Sequence, residues 1–294
     1  MLLFDFSDSS LKVLKLSPQF LGGNAVVAFA KGELKEGLIR NSEILDPPNL
    51  AAPAKDILNK AIPKPISDQE AALVLHDERT FTLRLPPLAA SDDELTGDSL
   101  EKLVAPLLPV PFPSLATDSL GRQFAAVDRK MLAGYTGLLE SLNLKAQSAV
   151  PESYALFFLF LPLIKADELA LFLDVGAKTT DAVLLDHEGV VQTLTEPIEL
   201  TQLKRGIEEI VGFSKEKFNQ EPRRVFLGGG GALAINAKSL AEGIGRPVDS
   251  AEEVFQTYPI PIKVNFGKVS KLSFLSLFGL ALALQQKEQL NLLR

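Results

Sequence analysis

Short apolar runs broken by turn residues open the chain. The stretches LLFDF (2–6), LKVLKLS (11–17) and NAVVAFAKGEL (24–34) have the length and alternation of strands, with SDSS and LGGN between them, so the pattern predicts a three-stranded antiparallel meander. A proline-rich passage follows, in which prolines confine any helix to about Ala54–Ile62. Next, AALVLHD (71–77) and TFTLRLPP (80–87) read as two strands joined by a tight turn at Asp77–Arg79. From Leu88 to Ser148 the pattern changes to an acidic helix (SDDELTGDSLEKLVAPLL), a proline cluster, a strand (RQFAAVDR), a helix (KMLAGYTGLLESLN) and a strand (LKAQSA), an α+β insert. Pro151 then starts a helix, PESYALFFLFLPLI, that is apolar nearly all round and therefore buried.

At Leu169 the opening pattern returns. Strand LALFLDV, hydroxyl turn GAKTT, strand DAVLLD, turn HEG and strand VVQTLTE repeat the first meander when Asp174 is laid on Asp5. A repeat at so long a period marks a duplicated domain. The second half continues with helix ELTQLKRGIEEIVGF, a short helical SKEKFNQ, strand RRVFLGGGG, helix ALAINAKSLAEGIG and an apolar helix from Ser270 to about Gln286. Strands alternating with helices after each meander predict an α/β architecture of two lobes.

Composition narrows the function classes. A chain of 294 residues that is 46% hydrophobic can bury a large core. Its net charge of -7 would repel phosphate backbones, which argues against a nucleic-acid partner. The absence of cysteine excludes disulfides, zinc-thiolate sites and thiol nucleophiles and agrees with a cytoplasmic setting. Neither YALFFLFLPLI nor FLSLFGLALAL reaches the ~18 residues that span a bilayer, and the acids in MLLFDFSDSS do not suit a secretion leader. Direct membrane insertion is not expected. His76 and His187, the two histidines, both fall at turns without metal or triad spacing and read as solvated.

Three turns carry the candidate chemistry. A tight turn between strands exposes backbone N–H groups, and hydroxyls at its tip add donors, a combination that cradles phosphate oxygens. In the first turn these are Ser7, Ser9 and Ser10 with Lys12; in the second, Gly176, Lys178, Thr179 and Thr180. Asp5 and Asp174, each ending a first strand, are candidate Mg²⁺ holders across one cleft, largely through water. The bare backbone of Gly228, Gly229, Gly230 and Gly231 would admit an adenine or ribose, with the next helix directing its positive end at the ligand. Taken singly, DVGAKTT is open to a purely structural reading as a hairpin whose Asp caps its own turn, and the glycines to one as a strand-to-helix turn needing positive φ.

This order of elements resembles the actin, Hsp70 and sugar-kinase ATPase superfamily, and within it the PilM family of type IV pilus assembly proteins, relatives of FtsA. The residues that carry the resemblance are DFSDSSLKVLKL, EAALVLHDERTFTLRLPP, AGYTGLLESLNLKAQSAVPESYAL, LDVGAKTTDAVLLDHEGVV and FLGGGGALAINAKSLAEGIGRPV. It implies a duplicated actin-like (ribonuclease H-like) fold, with 1–87 and 149–167 as the first lobe, 88–148 as an inserted 1C subdomain, and 168–294 as the second lobe, whose C-terminal helix 270–286 packs back on the first. It also implies binding of ATP and Mg²⁺ with slow or no turnover, with Lys215 and Glu216 near the ribose. A PilN-like bitopic membrane protein would dock a short peptide between 1A and 1C and hold the chain at the inner membrane.

Two departures weaken the nucleotide site. Ser7 stands where the family has glycine and Asp8 where it has serine, so a Cβ crowds the phosphates and a carboxylate repels them unless it turns away. Glu199 and Leu200 replace paired glycines before a helix. The end of the sequence, QKEQLNLLR, is similar to the INLLP motif of PilN, which suggests either a fused partner or a tail lying in the peptide groove. Removal of Gln289–Arg294 is then expected to alter self-association or partner binding. Two other functions stay open: a small-metabolite kinase, with Asp77 or Asp128 as base, and an FtsA-like filament former, although the C-terminus lacks a basic amphipathic helix.

Overall fold

A computed structural model of the chain describes residues 1–20, 22–86, 97–197 and 200–294, the side chains at 200 and 201 excepted. The expected SDDELT start of the acidic helix and the Glu199 substitution lie outside the described residues. The opening meander forms as β1 (Leu2–Phe6), β2 (Ser10–Pro18) and β3 (Asn24–Glu33), paired antiparallel in that order. A small hairpin, β4 (Ile39–Arg40) and β5 (Glu43–Ile44), leads to α1 (Pro47–Asn59). This helix starts before the expected Ala54 because Pro47 and Pro48 occupy its first turn, where no N–H is needed, and Asp46 caps it by accepting from Asn49 N.

Strand β6 (Glu70–Leu75) runs parallel to β1, but β7 (Thr80–Arg84) leaves that sheet. It joins β8 (Leu115–Leu120) and β9 (Gln123–Asp128) in a separate antiparallel sheet, with α2 (Gly97–Val104) packed on it over Leu85, Leu100, Val104 and Phe124. Next, α3 (Arg129–Ser141) leads back, and β10 (Lys145–Pro151) pairs in parallel with β6. By strand pairing the insert therefore runs from β7 to β9, whereas the sequence reading placed β7 with the first lobe and β10 with the insert. Pairing partners far along the chain decide this, and a local pattern does not carry them.

The second half repeats the design with α4 (Glu152–Phe160) as the bridge: β11 (Ala170–Val175), β12 (Thr179–Asp186), β13 (Gly189–Pro197), α5 (Leu200–Phe218), β14 (Arg224–Gly228), α6 (Ala237–Ile244), β15 (Val248–Ser250), α7 (Val254–Thr257) and α8 (Leu275–Ala283). The two large sheets have orders β10-β6-β1-β2-β3 and β15-β14-β11-β12-β13, the same topology twice. Asp5 pairs with Lys12 and Val74 in the first; Asp174 pairs with Asp181 and Gly228 in the second. SKEKFNQ is no separate helix, since α5 runs unbroken through Phe218.

The bridging helices are exchanged between the halves. Phe160 of α4 packs on Phe172 and Phe226 of the second sheet, at 4.4 and 5.1 Å between ring centroids. Phe274, just before α8, meets Phe29 of the first sheet at 5.7 Å. The two helices cross at Gly279, where a Cβ would come within 2.1 Å of the Ala155 carbonyl oxygen. Only a glycine permits so close an approach.

Candidate functional site

A cavity of about 610 Å³ opens between the two repeated hairpins. Of the residues expected there, Ser7, Ser9, Ser10, Lys12, Asp174, Gly176, Lys178, Thr179, Gly230 and Gly231 line it, joined by Lys31, His76, Glu78, Glu152 and Asp181, which the sequence reading did not select. Asp5, Thr180, Gly228, Gly229, Lys215 and Glu216 are not in its wall. Thr180 is fully enclosed, as strand alternation requires of a neighbour of Thr179 and Asp181. Lys215 is exposed on α5 and pairs with Glu221 at 3.0 Å, with Glu216 exposed beside it.

The first turn is closed on itself. Ser7 N donates to Ser10 O at 2.9 Å, and Ser7 Oγ accepts from Ser10 N at 3.1 Å and meets Ser10 Oγ at 2.9 Å. Asp8 is turned to the side: its carboxylate accepts from Asn41 N and Ser42 N at 3.0 and 3.1 Å. Asn41 and Ser42 both have positive φ, 48° and 59°, and this carboxylate ties down the strained turn. Tyr135 Oη donates to Ser42 O at 2.6 Å from the other side. The charge at position 8 thus already serves two backbone donors.

Below the turn lies a chain of ion pairs. Asp5 is fully buried; Lys12 Nζ lies 2.9 Å from its Oδ2, Ser276 Oγ donates to the same oxygen at 2.9 Å, and His76 Nε2 lies 3.1 Å from Oδ1. His76 Nδ1 lies 2.6 Å from Glu152 Oε2. His76 is therefore not solvated: its ring bridges two carboxylates contributed by residues 5 and 152. Burial alone would lower its pKa, but the Glu152 charge and the hydrogen bond to Asp5 raise it well above the ordinary value, so both nitrogens donate. Burial alone would raise Asp5, yet Lys12 and His76 hold it well below the usual carboxylate range. Lys12 is held above its ordinary value by Asp5 and Glu152, against burial.

The second turn differs in charge. In the repeat register Lys12 corresponds to Asp181, so Asp174 faces a second acid where Asp5 faces a lysine. Burial and the Glu152 charge raise Asp174 well above the ordinary value and push Asp181 up to about 6. Thr195 Oγ1 donates to Asp181. The glycines also divide. A Cβ at Gly229 would strike Asp174 Oδ1 at 2.1 Å, one at Gly231 the Gly176 carbonyl at 2.5 Å, and one at Gly228 the Leu275 side chain at 2.5 Å, whereas at Gly230 the nearest atom is Ser273 Oγ at 3.4 Å. Of the four, Gly230 alone has room for a Cβ without a clash. Lys31 reaches Ser273 Oγ at 3.1 Å; burial and the nearby Lys12 lower its pKa.

Magnesium fits one side of this arrangement. Asp174 and Asp181 are crowded acids whose repulsion a cation would relieve, while at Asp5 the Lys12 ammonium already takes the cation's place. Among the described residues no three acids or histidines converge as a metal set, so a magnesium ion here would depend on oxygens of a bound phosphate. The two candidate bases are helix caps. Asp77 accepts from Ser153 N and Oγ, both at 2.8 Å, at the start of α4, and burial with the Glu152 charge pushes it up to about 8. Asp128 accepts from Lys130 N at 2.7 Å at the start of α3.

A second feature lies on the outer edge of the first sheet. Leu290 and Leu292 are enclosed at 0% and 1% exposure. Between them Asn291 N donates to Asp118 Oδ2 on β8 at 2.6 Å, its side-chain amide donates to Gln147 O and accepts from Ala149 N on β10, both at 3.1 Å, and Leu292 N donates to Ala149 O at 2.9 Å. The end of the sequence thus lies in a groove between the first sheet and the insert.

Two like-folded halves, exchanged bridging helices and a cleft between their first hairpins decide the architecture. The chain has the actin-like fold. Solved structures agree along its whole length. One is a PilM–PilN type IV pilus biogenesis complex, with a TM-score of 0.75 at 17% identity over 96% of this chain and 97% of that one. A Bacteroides thetaiotaomicron protein described as having an actin-like ATPase fold and unknown function gives 0.53 at 14% identity over 87% and 95%. The cytoplasmic domain of EpsL, an inner-membrane component of the type II secretion system of Vibrio cholerae, gives 0.52 at 12% over 100% and 97%. No protein-family model and no curated protein matches the chain. No helix among the described residues is long and apolar enough to cross a membrane.

Proposed function

We infer that the chain is an actin-like scaffold of a type IV pilus or related secretion platform, acting on the cytoplasmic side of the inner membrane and holding a short peptide of a PilN-like membrane partner. The observation that carries this is the end-to-end likeness to the PilM–PilN complex, and the seat beside β10, where Leu290 and Leu292 are buried and Asn291 is bonded to Gln147, Ala149 and Asp118, supports it with a site of suitable chemistry. Such a groove offers backbone groups of an edge strand for affinity and apolar pockets for specificity. The central cavity takes magnesium ATP: Lys12 and Lys178 meet phosphates, Ser9, Ser10 and Thr179 add donors, and Gly230 leaves room for the nucleoside. The cation sits on the Asp174–Asp181 side. Turnover is slow or absent, since Asp8 is tied to backbone N–H groups, Glu152 is paired with His76, and Asp174 and Asp181 crowd each other. The kinase reading lacks comparable support, because Asp77 and Asp128 are occupied as caps.

Calorimetric titration of the purified chain with magnesium ATP and with an Ile-Asn-Leu-Leu-Pro peptide tests the proposal. Binding of the peptide supports the scaffold; binding of ATP shows that the cleft is used. Phosphorylation of a sugar or carboxylic acid in a coupled assay, without peptide binding, would replace this reading with the kinase.

A further inference from the structure

The contacts of residues 289–294 have the character of a ligand. The segment belongs to no helix or strand, and it follows an exposed tether, Gln285–Glu288. Apart from two bonds from Leu293 N and Arg294 N back to Asn291, its partners lie on other elements: Ala149 and Gln147 on β10, Asp118 on β8, and Tyr154 on α4, whose hydroxyl accepts from Leu290 N at 3.2 Å. β10 is an edge of its sheet, and the open groups of such an edge invite a further extended segment. Leu292 N and the Asn291 amide satisfy both groups of Ala149, and the flanking leucines fill the two apolar positions. Arg294 adds a looser ion pair to Asp118 at 3.9 Å.

We propose that residues 289–294 are a built-in ligand of the β10 groove, and that a partner segment of the same Leu-Asn-Leu pattern enters only by displacing them. The proposal deepens the peptide-groove reading above and rests on it for the nature of the partner. A tethered segment competes at an effective concentration on the order of millimolar, so the site's apparent affinity for any segment in trans is multiplied by the small fraction of molecules in which residues 289–294 have left it. The partner's arrival then exchanges one bound segment for another, and a peptide in trans fills the site of the unaltered chain only at concentrations well above those that the emptied site needs.

The test uses the full chain with Leu290→Ser and Leu292→Ser, and a labelled Gln-Leu-Asn-Leu-Leu-Arg peptide followed by fluorescence anisotropy. The variant is expected to bind at least about tenfold more tightly than the unaltered chain. Equal affinity, or no binding by either, overturns the proposal. Should the variant fail to fold, hydrogen exchange on the unaltered chain decides: excess peptide must release protection at Leu292 N, and unchanged protection overturns the idea. Ile-Asn-Leu-Leu-Pro separates the two readings. If it binds both chains equally, the partner stands and the built-in ligand falls; if only the chain's own peptide binds the variant, the built-in ligand stands and the partner falls.

Discussion

Gly230 and Gly231 are neighbours with opposite roles, and their substitution separates folding from binding. Gly231→Ala drives a methyl into the Gly176 carbonyl and should cost roughly 1–3 kcal/mol, the usual range for overpacking, read as a lower midpoint in chemical denaturation. Gly230→Ala should move stability by less than about 0.5 kcal/mol while weakening magnesium ATP binding in the same calorimetric titration. His76→Gln removes the cation between Asp5 and Glu152 and should cost about 3 kcal/mol, the low end for breaking a buried pair, since Lys12 still serves Asp5. The pH dependence has a definite sign. His76 has a raised folded pKa, so its contribution is complete below about 6.5 and is lost as pH climbs through that raised value. Asp77, pushed up to about 8, also binds its proton more tightly when folded, so stability falls between pH 3.8 and about 8. Denaturation midpoints should therefore decline from pH 5 to pH 9, and Asp77→Asn should remove the part below pH 8. The aspartates at 5 and 174 were legible because the repeat aligns them. Asp181 was available from the same alignment carried seven residues further, where Lys12 falls on it. His76 was not, because its two partners lie 71 and 76 positions away.

Among elements, the strands were legible and their company was not. Short apolar runs bounded by turn residues identified β1 to β3 and β11 to β13, and β1, buried at every position, reads as a continuous run. Strand-like stretches also recovered β7 and β10 as strands but could not choose their sheets, because segments as short as TFTLR and KAQSAVP fit either. Likewise, α1 was underestimated by counting prolines without regard to their place in the first turn. The α4–α8 crossing was hidden too, as Gly279 in FLSLFGLALAL looks like any small residue in an apolar helix. Gly279→Val should destabilise the chain by roughly 3 kcal/mol or somewhat less, at the upper part of the overpacking range, measured by urea denaturation.

For the whole molecule, the insert is clasped to the second lobe. Arg84 on β7 holds Asp186 through two bonds of 2.8 and 3.1 Å, and Gln123 on β9 exchanges bonds with both Val190 N and O. Arg84→Ala should cost about 2 kcal/mol, in the range for hydrogen bonds to a charged group, and hydrogen exchange should quicken at the 186–190 turn before it does in the rest of either large sheet. Duplication was visible from the sequence; this clasp was not, since it joins strand residues about 67 to 102 positions apart in the chain.

The swap of α4 and α8 has a further meaning for how such a chain can be handled. Each half lends a helix to the other, α4 reaching β13 and Phe172 and α8 reaching β1 and β2, and the two helices bury each other, so a gene divided at residue 167 would give two pieces that each expose apolar helix surface. Expressed separately, both fragments should be insoluble or molten; produced together, they should find each other and reassemble.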